Sequence, residues 1–448
     1  MSTLETSKEI NKRIELLSPA GNLEKLKIAI DYGADAVYAG VSHFSLRIRS
    51  GKEFSYEDFE EGIAYAHARG KKVYVTINGF PFNSQLELLK KHIIKMASFN
   101  PDAFIVATPG VLQLAHKLVP DMPLHLSTQA NVMNVLDAEV YYNMGACRII
   151  AAREISLKDL VEIKKHLPKL EIEVFVHGSM CFAYSGRCLI STLQSGRVPN
   201  RGSCANDCRF PYELYAANPD TGTLFRLDED PGVGTYIMNS KDLNLASHMK
   251  EILDSGCIDS VKIEGRTKTS YYAAITAKTY SKAIDDYYHD TFNHKAYQTE
   301  LATLQNRGFT DAYLVNRPFE KHDAQNLDFT IMMGTHQVSG IVIPDDNSDT
   351  STSGSHFLCK YKTLPGDEVE IVAPHGTKIE CSENEFGEVY EKEGTFFMRF
   401  KMLVAQNKKV WEEVHSGNVN PIKLPITLPQ YTFLRIPATD EMSQVPKK

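Results

Sequence analysis

The sequence predicts a TIM-barrel-like (β/α)8 domain over residues 1–327, followed by a small all-β, barrel-like domain over residues 328–448. Three observations carry this reading. Eight short apolar runs alternate with helical patterns between Ile14 and about Tyr288, several of the helical patterns end on a glycine suited to a left-handed C-cap, and from about Asp328 onward the texture turns into short strands separated by turns. A chain of 448 residues has room for one large barrel and an appendage. An open doubly wound sheet would carry a phosphate-binding glycine fingerprint in its first turn. The nearest match, "GVGTYI" at 232, lacks the third glycine and precedes a strand, so the closed barrel is preferred.

The elements follow in order. "IELL" at 14 is the first strand and "LEKLKIAIDYG" its helix; "DAVYAG" at 35 is the second, followed by "YEDFEEGIAYAHARG". "KVYVTIN" at 72, "AFIVA" at 103 and "LHLST" at 124 are the third to fifth, near-continuous apolar runs of the kind parallel strands buried on both faces require. "RIIAA" at 148 precedes the amphipathic "SLKDLVEIKKHL", whose charges read as a solvated face, "IEVFVHG" at 172 is the seventh strand, and "DSVKIEG" at 259 the eighth. One unit breaks the rhythm. About sixty residues separate "IEVFVHG" from a helix expected to start near Lys241, and this insertion, at about 177–235, hangs from the end of a barrel where active sites are built. After the helix "YYAAITAKTYSKAIDDYYHD" and a shorter one near "KAYQTELATLQN" come "FTIMMG", "VSGIVIP", "HFLCKYK", "DEVEIVAP", "TKIECSE" and "TFFMRFKM", the strands of the second domain; "DEMSQVPKK" reads as a frayed tail.

Composition narrows the chemistry. No apolar window is long enough to span a membrane, the N-terminus has no secretory h-region, and a cytoplasmic protein is expected. In that reducing compartment clustered cysteines are metal ligands or redox groups more often than disulfides. A net charge of −7 excludes a bulk polycation that coats nucleic acid, so a nucleic-acid site must be a local patch. The stretch 174–209 offers one, since Arg187, Arg197, Arg201 and Arg209 are opposed there only by Asp207. Hydrolase signatures such as G-x-S-x-G, H-E-x-x-H and a P-loop are absent.

Four of the eight cysteines, Cys181, Cys188, Cys204 and Cys208, lie in the insertion with the spacing C-x6-C-x15-C-x3-C. Four thiolates complete a tetrahedral zinc site or an iron-sulfur cubane. Zinc knuckles present tighter pairs, which favours iron-sulfur over zinc and leaves unliganded thiols as the third possibility. Cys147, Cys257, Cys359 and Cys381 stand singly and read as buried small hydrophobes. Polar residues recur at the predicted C-terminal strand ends: Asn78, Gln129, Asn131, Arg153, Glu154, His177, Lys262, Glu264 and Arg266. There they converge on a ligand or simply meet water. Arg153, Lys262 and Arg266 suit a small anionic substrate, and His177 an acid or base.

The segments "ELLSPAGNLEKLKIAIDYGADAVYAG", "HLSTQANVMN", "EVFVHGSMCFAYSGRCLIS", "GSCANDCR", "YIMNSKDL" and "VKIEGRTKTSYYAA" resemble the collagenase-like peptidase family thirty-two, of unassigned catalytic type, over nearly the whole chain. The resemblance implies a barrel with a small β domain and an oxygen-sensitive 4Fe-4S cluster on Cys181, Cys188, Cys204 and Cys208. It further implies oxygen-independent, prephenate-dependent hydroxylation at carbon 5 of the wobble uridine in the anticodon region of tRNA. Under it, His177, Glu264 and Arg153 become catalytic candidates. Asn78, Gln129, Asn131, Lys262, Arg266, Arg187, Arg201 and Arg209 become candidates for holding RNA or the dicarboxylate. Related members act on ribosomal RNA or a quinone ring, and no electron donor is implied. The stretch after "GSCANDCRFPYELY" is shorter here than in longer relatives. Two other readings stand beside this one, a collagenase-like peptidase and an RNA-binding adaptor with structural zinc.

Overall fold

The structure, a computed structural model, describes residues 13–41, 44–46, 54–227, 238–318, 320–328, 331–345 and 353–438. The N-terminal "MSTLETSKEINK", "GVGTYI" and the "DEMSQVPKK" tail lie outside the described residues.

Eight parallel strands form a barrel: Glu15–Pro19, Ala36–Ala39, Lys72–Ile77, Ala103–Val106, Leu124–Leu126, Arg148–Ile150, Glu171–Ser179 and Ser260–Ile263. Each pairs with the next, and the eighth pairs with both the seventh and the first. Closure is visible in the register, where Ser260 faces Glu173 on one side and Glu15 on the other. These are the eight strands expected from the sequence. The strand-to-helix turns are encoded by capping residues. Asn22, Ser55, Thr108, Asn134, Ser156 and Thr269 each accept a backbone N–H from the first turn of the following helix, and Ser55 forms a capping box with Asp58.

The barrel lumen is not purely aliphatic. Arg148 reaches Glu15 (2.6 Å), Glu171 (2.7 Å) and Glu173 (3.1 Å), and Lys262 pairs with the other Glu173 oxygen at 2.9 Å. Tyr74 donates to Glu15 at 2.7 Å. Glu173 is fully buried. Such a layer is tolerated only because each charge has its partner.

The long segment that contains the clustered cysteines follows the seventh strand, and the chain after it differs from expectation. Instead of a helix starting near Lys241, Asp242–Asn244 forms a short strand antiparallel to the end of the seventh, and the helix is Met249–Asp254. The "KDLN" backbone satisfies the edge left open by that long seventh strand, which outcompetes its helical pattern. The two closing helices are Ser270–Tyr288 and His294–Leu301.

The second domain is an eight-stranded antiparallel sheet. Its terminal strands approach each other, with Asn384 donating to Pro425 O across the gap at 2.7 Å. Of "FTIMMG", Phe329 and Thr330 lie outside the described residues; residues 331–334 are in none of its strands, and Met332 instead bridges Asn306 of the barrel domain. Gly387–Lys392, Ile422–Pro429 and Phe433–Pro437 join it without having been expected. The domains share a packed face. The Tyr32 hydroxyl lies 2.7 Å from Val372 O and 2.9 Å from Tyr431 O, and buried Arg435 bridges Glu300 (2.9 Å) and Glu370 (2.9 Å). No helix among the described residues is long and apolar enough to cross a membrane.

Candidate active site at the barrel mouth

A cavity open to solvent lies at the C-terminal ends of the barrel strands. Its apolar floor is Ile105, Ile150 and Phe175, with Tyr38 beside them. Asn78, Gln129, Arg153, Lys262, Glu264 and Arg266 bring polar groups to its wall, and Cys181, Cys188, Cys204 and Cys208 all face it from the insertion.

The insertion is stitched to the barrel by specific bonds. Ser185, left-handed at φ 42°, donates its N–H to the Glu154 carboxylate at 2.7 Å and its hydroxyl to the other oxygen. Arg187 Nε donates to Gln129 O at 2.8 Å, and Asn200 donates to Cys188 O at 3.2 Å. Arg209 is buried. It donates to Met180 O, to Ser240 O (2.6 Å) and to Asn239 (3.2 Å), clasping the residue before the first clustered cysteine to the residue after the last. Next to it Arg307 pairs with Asp242 at 3.1 Å.

All four thiols are free of disulfides and half-buried. Burial pushes the Cys188 and Cys208 thiols up, and the fields of Cys181 and Cys204 add to the rise at both, a sign of their mutual proximity. Among the described residues no three His, Cys, Asp or Glu side chains gather closely enough to hold a single ion. The four thiols share the lining of one cavity. By their chemistry, four soft thiolate donors suit an iron-sulfur cluster or a zinc ion.

The remaining groups divide sharply. The Arg153 guanidinium sits 4.5 Å over the Phe175 ring and has no ion-pair partner among the described residues. Gln129 is buried, and its side-chain N–H2 has no hydrogen-bond acceptor. Both face the cavity as available donors. Arg266 is fixed by Ser45 (2.7 Å), Thr76 (3.0 Å) and Leu46 O. Gly40 makes room for it, since a Cβ there would stand 2.7 Å from Arg266 Nη1 and 2.3 Å from Ser45 Oγ. Glu264 accepts from Tyr38 at 3.2 Å. Lys262 reaches the cavity wall, but its ammonium is tied to Glu173, 4.3 Å over the Tyr38 ring, and burial lowers its pKa.

Five predicted residues do not line the cavity. Asn131 is left-handed (φ 61°) with its side-chain nitrogen buried and unpaired. Arg187 and Arg209 bond backbone carbonyls, and Arg201 lies against Phe82 outside the mouth.

His177 is the clearest departure from expectation. Alternation along the seventh strand points Glu173 and Phe175 inward and would point His177 the same way. A register shift breaks it: Lys262 faces Phe175, but the next residue, Ile263, faces His177. The extra residue turns His177 out of the lumen into a cage of Tyr272, Tyr280 and Phe309, with Tyr280 Oη 3.3 Å from Nδ1. Burial lowers its pKa to about 3. The folded state thus keeps it neutral while the unfolded chain binds a proton below about 6.5. Stability is full above that pH and falls as pH drops from about 6.5 towards 3, by about 2 kcal/mol at pH 5. Urea unfolding at pH 8 and pH 5 should show a smaller difference in His177→Gln than in the native protein; an equal difference would contradict this assignment.

Sequence reasoning passed over Tyr38, Phe175, Ser185 and the Arg307–Asp242 pair. Strand alternation carries a signal for the first two. The others are joined only by folding. Of the isolated cysteines, Cys257 and Cys359 are buried as expected, Cys147 is half-buried and Cys381 is exposed.

This geometry can be set beside known proteins. The profile described as Peptidase family U32 matches residues 21–324. The chain belongs to peptidase family U32. Within that family it is 58% identical over 423 residues to the tRNA hydroxylation protein P of Helicobacter pylori, covering 94% of this chain and 98% of that one. It is 37% identical over 418 residues to the Escherichia coli protein of the same name, covering 84% and 90%. An Escherichia coli enzyme named 23S rRNA 5-hydroxycytidine synthase is 34% identical over 273 residues, 61% of this chain and 39% of that one. The U32 profile includes all four clustered cysteines and every cavity-lining residue.

Proposed function

We propose that this U32 chain is a cytoplasmic tRNA-modifying enzyme that converts the wobble uridine to 5-hydroxyuridine without molecular oxygen, with prephenate as co-substrate and a 4Fe-4S cluster on Cys181, Cys188, Cys204 and Cys208. The observation that carries the reading is the convergence of four free thiols on one cavity at the barrel mouth. The similarity to proteins named for tRNA hydroxylation supports the choice of RNA over peptide as substrate.

When bound, a cluster at these thiolates supplies one-electron redox chemistry or a Lewis-acidic iron. The chain's own residues do the rest. Arg153, uncommitted to any described carboxylate and backed by Phe175, binds a carboxylate of the dianionic co-substrate. Arg266, held rigid by Ser45 and Thr76, presents a second cation at the same wall. The orphan Gln129 N–H2 donates to a carbonyl or hydroxyl oxygen inside the cavity. Glu264, oriented by Tyr38, is the one carboxylate among the described residues of the wall and the candidate proton acceptor. The apolar floor excludes water from below.

The test is direct. Anaerobically purified protein should be brown and iron-loaded, and tRNA from cells lacking the gene should lose its 5-hydroxyuridine derivatives; unchanged wobble nucleosides would overturn the assignment. Arg153→Ala should raise KM for prephenate by roughly tenfold to a hundredfold, the worth of a charged hydrogen bond, with a smaller change in kcat. An unchanged KM would remove Arg153 from the binding site.

A further inference from the structure

Beside the cavity mouth, two segments remote in sequence hold one aromatic ring in place. Phe82, in the loop after the third strand, is 57% exposed. One face of its ring is covered by the Arg201 guanidinium of the insertion, 3.9 Å from the ring centroid. Gln85 Oε1 accepts both from the Phe82 backbone N–H (3.0 Å) and from Arg201 Nη2 (3.0 Å). The Phe80 N–H donates to Asn200 O at 3.3 Å, tying the two segments again. Asn78 and Pro199, from these same two segments, line the cavity. A flat ring is therefore fixed in orientation at the rim.

Two further exposed aromatics adjoin cavity-lining residues in the chain. Phe182 and Tyr184, 44% and 48% exposed, flank cavity-lining Cys181 and Ser185 in sequence. The charge around them is positive. From Phe182 to Phe210 the cations Arg187 and Arg197 are exposed and Arg201 half-buried, whereas the only acid, Asp207, is buried. This holds in a protein of net charge −7.

We infer that the Phe82–Arg201–Gln85 unit is a stacking platform for an unpaired nucleotide next to the one that enters the cavity. This rests on the tRNA reading above. A base in a loop reaches the cavity only by leaving its stack, and its neighbour then needs a new stacking surface. Phe82 offers that surface, and the ring is pre-oriented by Arg201 and Gln85, so little ordering is left for the moment of binding. The surrounding arginines complement the phosphates on either side. Flat π-faces alternating with cations suit single-stranded RNA rather than an apolar peptide.

The test uses the full-length, anaerobically purified protein and a fluorescently labelled anticodon stem-loop RNA, followed by anisotropy. Phe82→Ala should weaken binding roughly tenfold to a hundredfold, the usual loss for one base-stacking aromatic. Phe82→Trp should keep native affinity, and Phe82→Leu should bind as weakly as alanine; iron content should be the same in all three. The platform is overturned if Phe82→Ala binds RNA like the native protein. It is equally overturned if leucine restores binding as well as tryptophan, or if Phe82→Ala loses affinity for a gelatin-derived peptide and not for RNA. The hydroxylase reading fails on a separate measurement, the wobble nucleosides of cells lacking the gene, so the two are distinguishable.

Discussion

Under the proposed function, replacing Cys204 with alanine should abolish both the brown colour and wobble-uridine hydroxylation, while the barrel stays folded. Cys204 faces the cavity with the other three clustered thiols. Its described hydrogen bond is a weak one to Asn206 at 3.8 Å, so its loss removes a ligand and little protein structure. Iron content and the visible spectrum of the anaerobic variant read the first effect, nucleoside analysis the second, and circular dichroism the third. Retained colour with full iron would show that Cys204 is not a ligand. Cys381, exposed in the second domain, is the matched control, since its replacement by alanine should leave colour and modification at native levels.

The largest stability effect is expected at Glu173. Its two oxygens hold Lys262 (2.9 Å) and Arg148 (3.1 Å) inside the lumen, where all three side chains are buried. Glu173→Gln leaves Lys262 as a buried cation without its described carboxylate partner. A loss of about 3–5 kcal/mol is the usual cost of breaking such a pair from one side. Urea unfolding at neutral pH measures it. The double variant Glu173→Gln with Lys262→Met removes the stranded charge and should recover most of the loss, giving a large coupling between the two sites. A single-variant loss below about 1 kcal/mol would show that water or rearrangement compensates the charge.

How much of this was legible beforehand depended on whether the signal was local. The eight strands could be read because a parallel strand buried on both faces leaves a run of β-branched and apolar residues in the sequence itself. The caps at Asn22, Ser55 and Ser156 are local for the same reason, since each acts within one turn. The cysteine block was legible as a cluster of thiols, because residue type and spacing are in the sequence itself. His177 was misplaced because a bulge is invisible to period-two reasoning: one extra residue reverses every side chain beyond it. Arg209 reads as a substrate contact in the sequence because charge alone does not say whether a guanidinium faces water or a ring of carbonyls.

By itself, then, the sequence determined the barrel, the β domain, the place of the insertion and the four thiols as a group, all consequences of short-range pattern and residue chemistry. Only the tertiary structure decided which cations are available and which are committed. Arg153 is left open to the cavity while Lys262, Arg209 and Arg307 are bound to protein partners. It also placed Arg201 on Phe82 rather than in the cavity. The physical reason is that a charged side chain has the same chemistry wherever it stands; its role is set by the partners that folding brings within about 3 Å, and those come from distant segments.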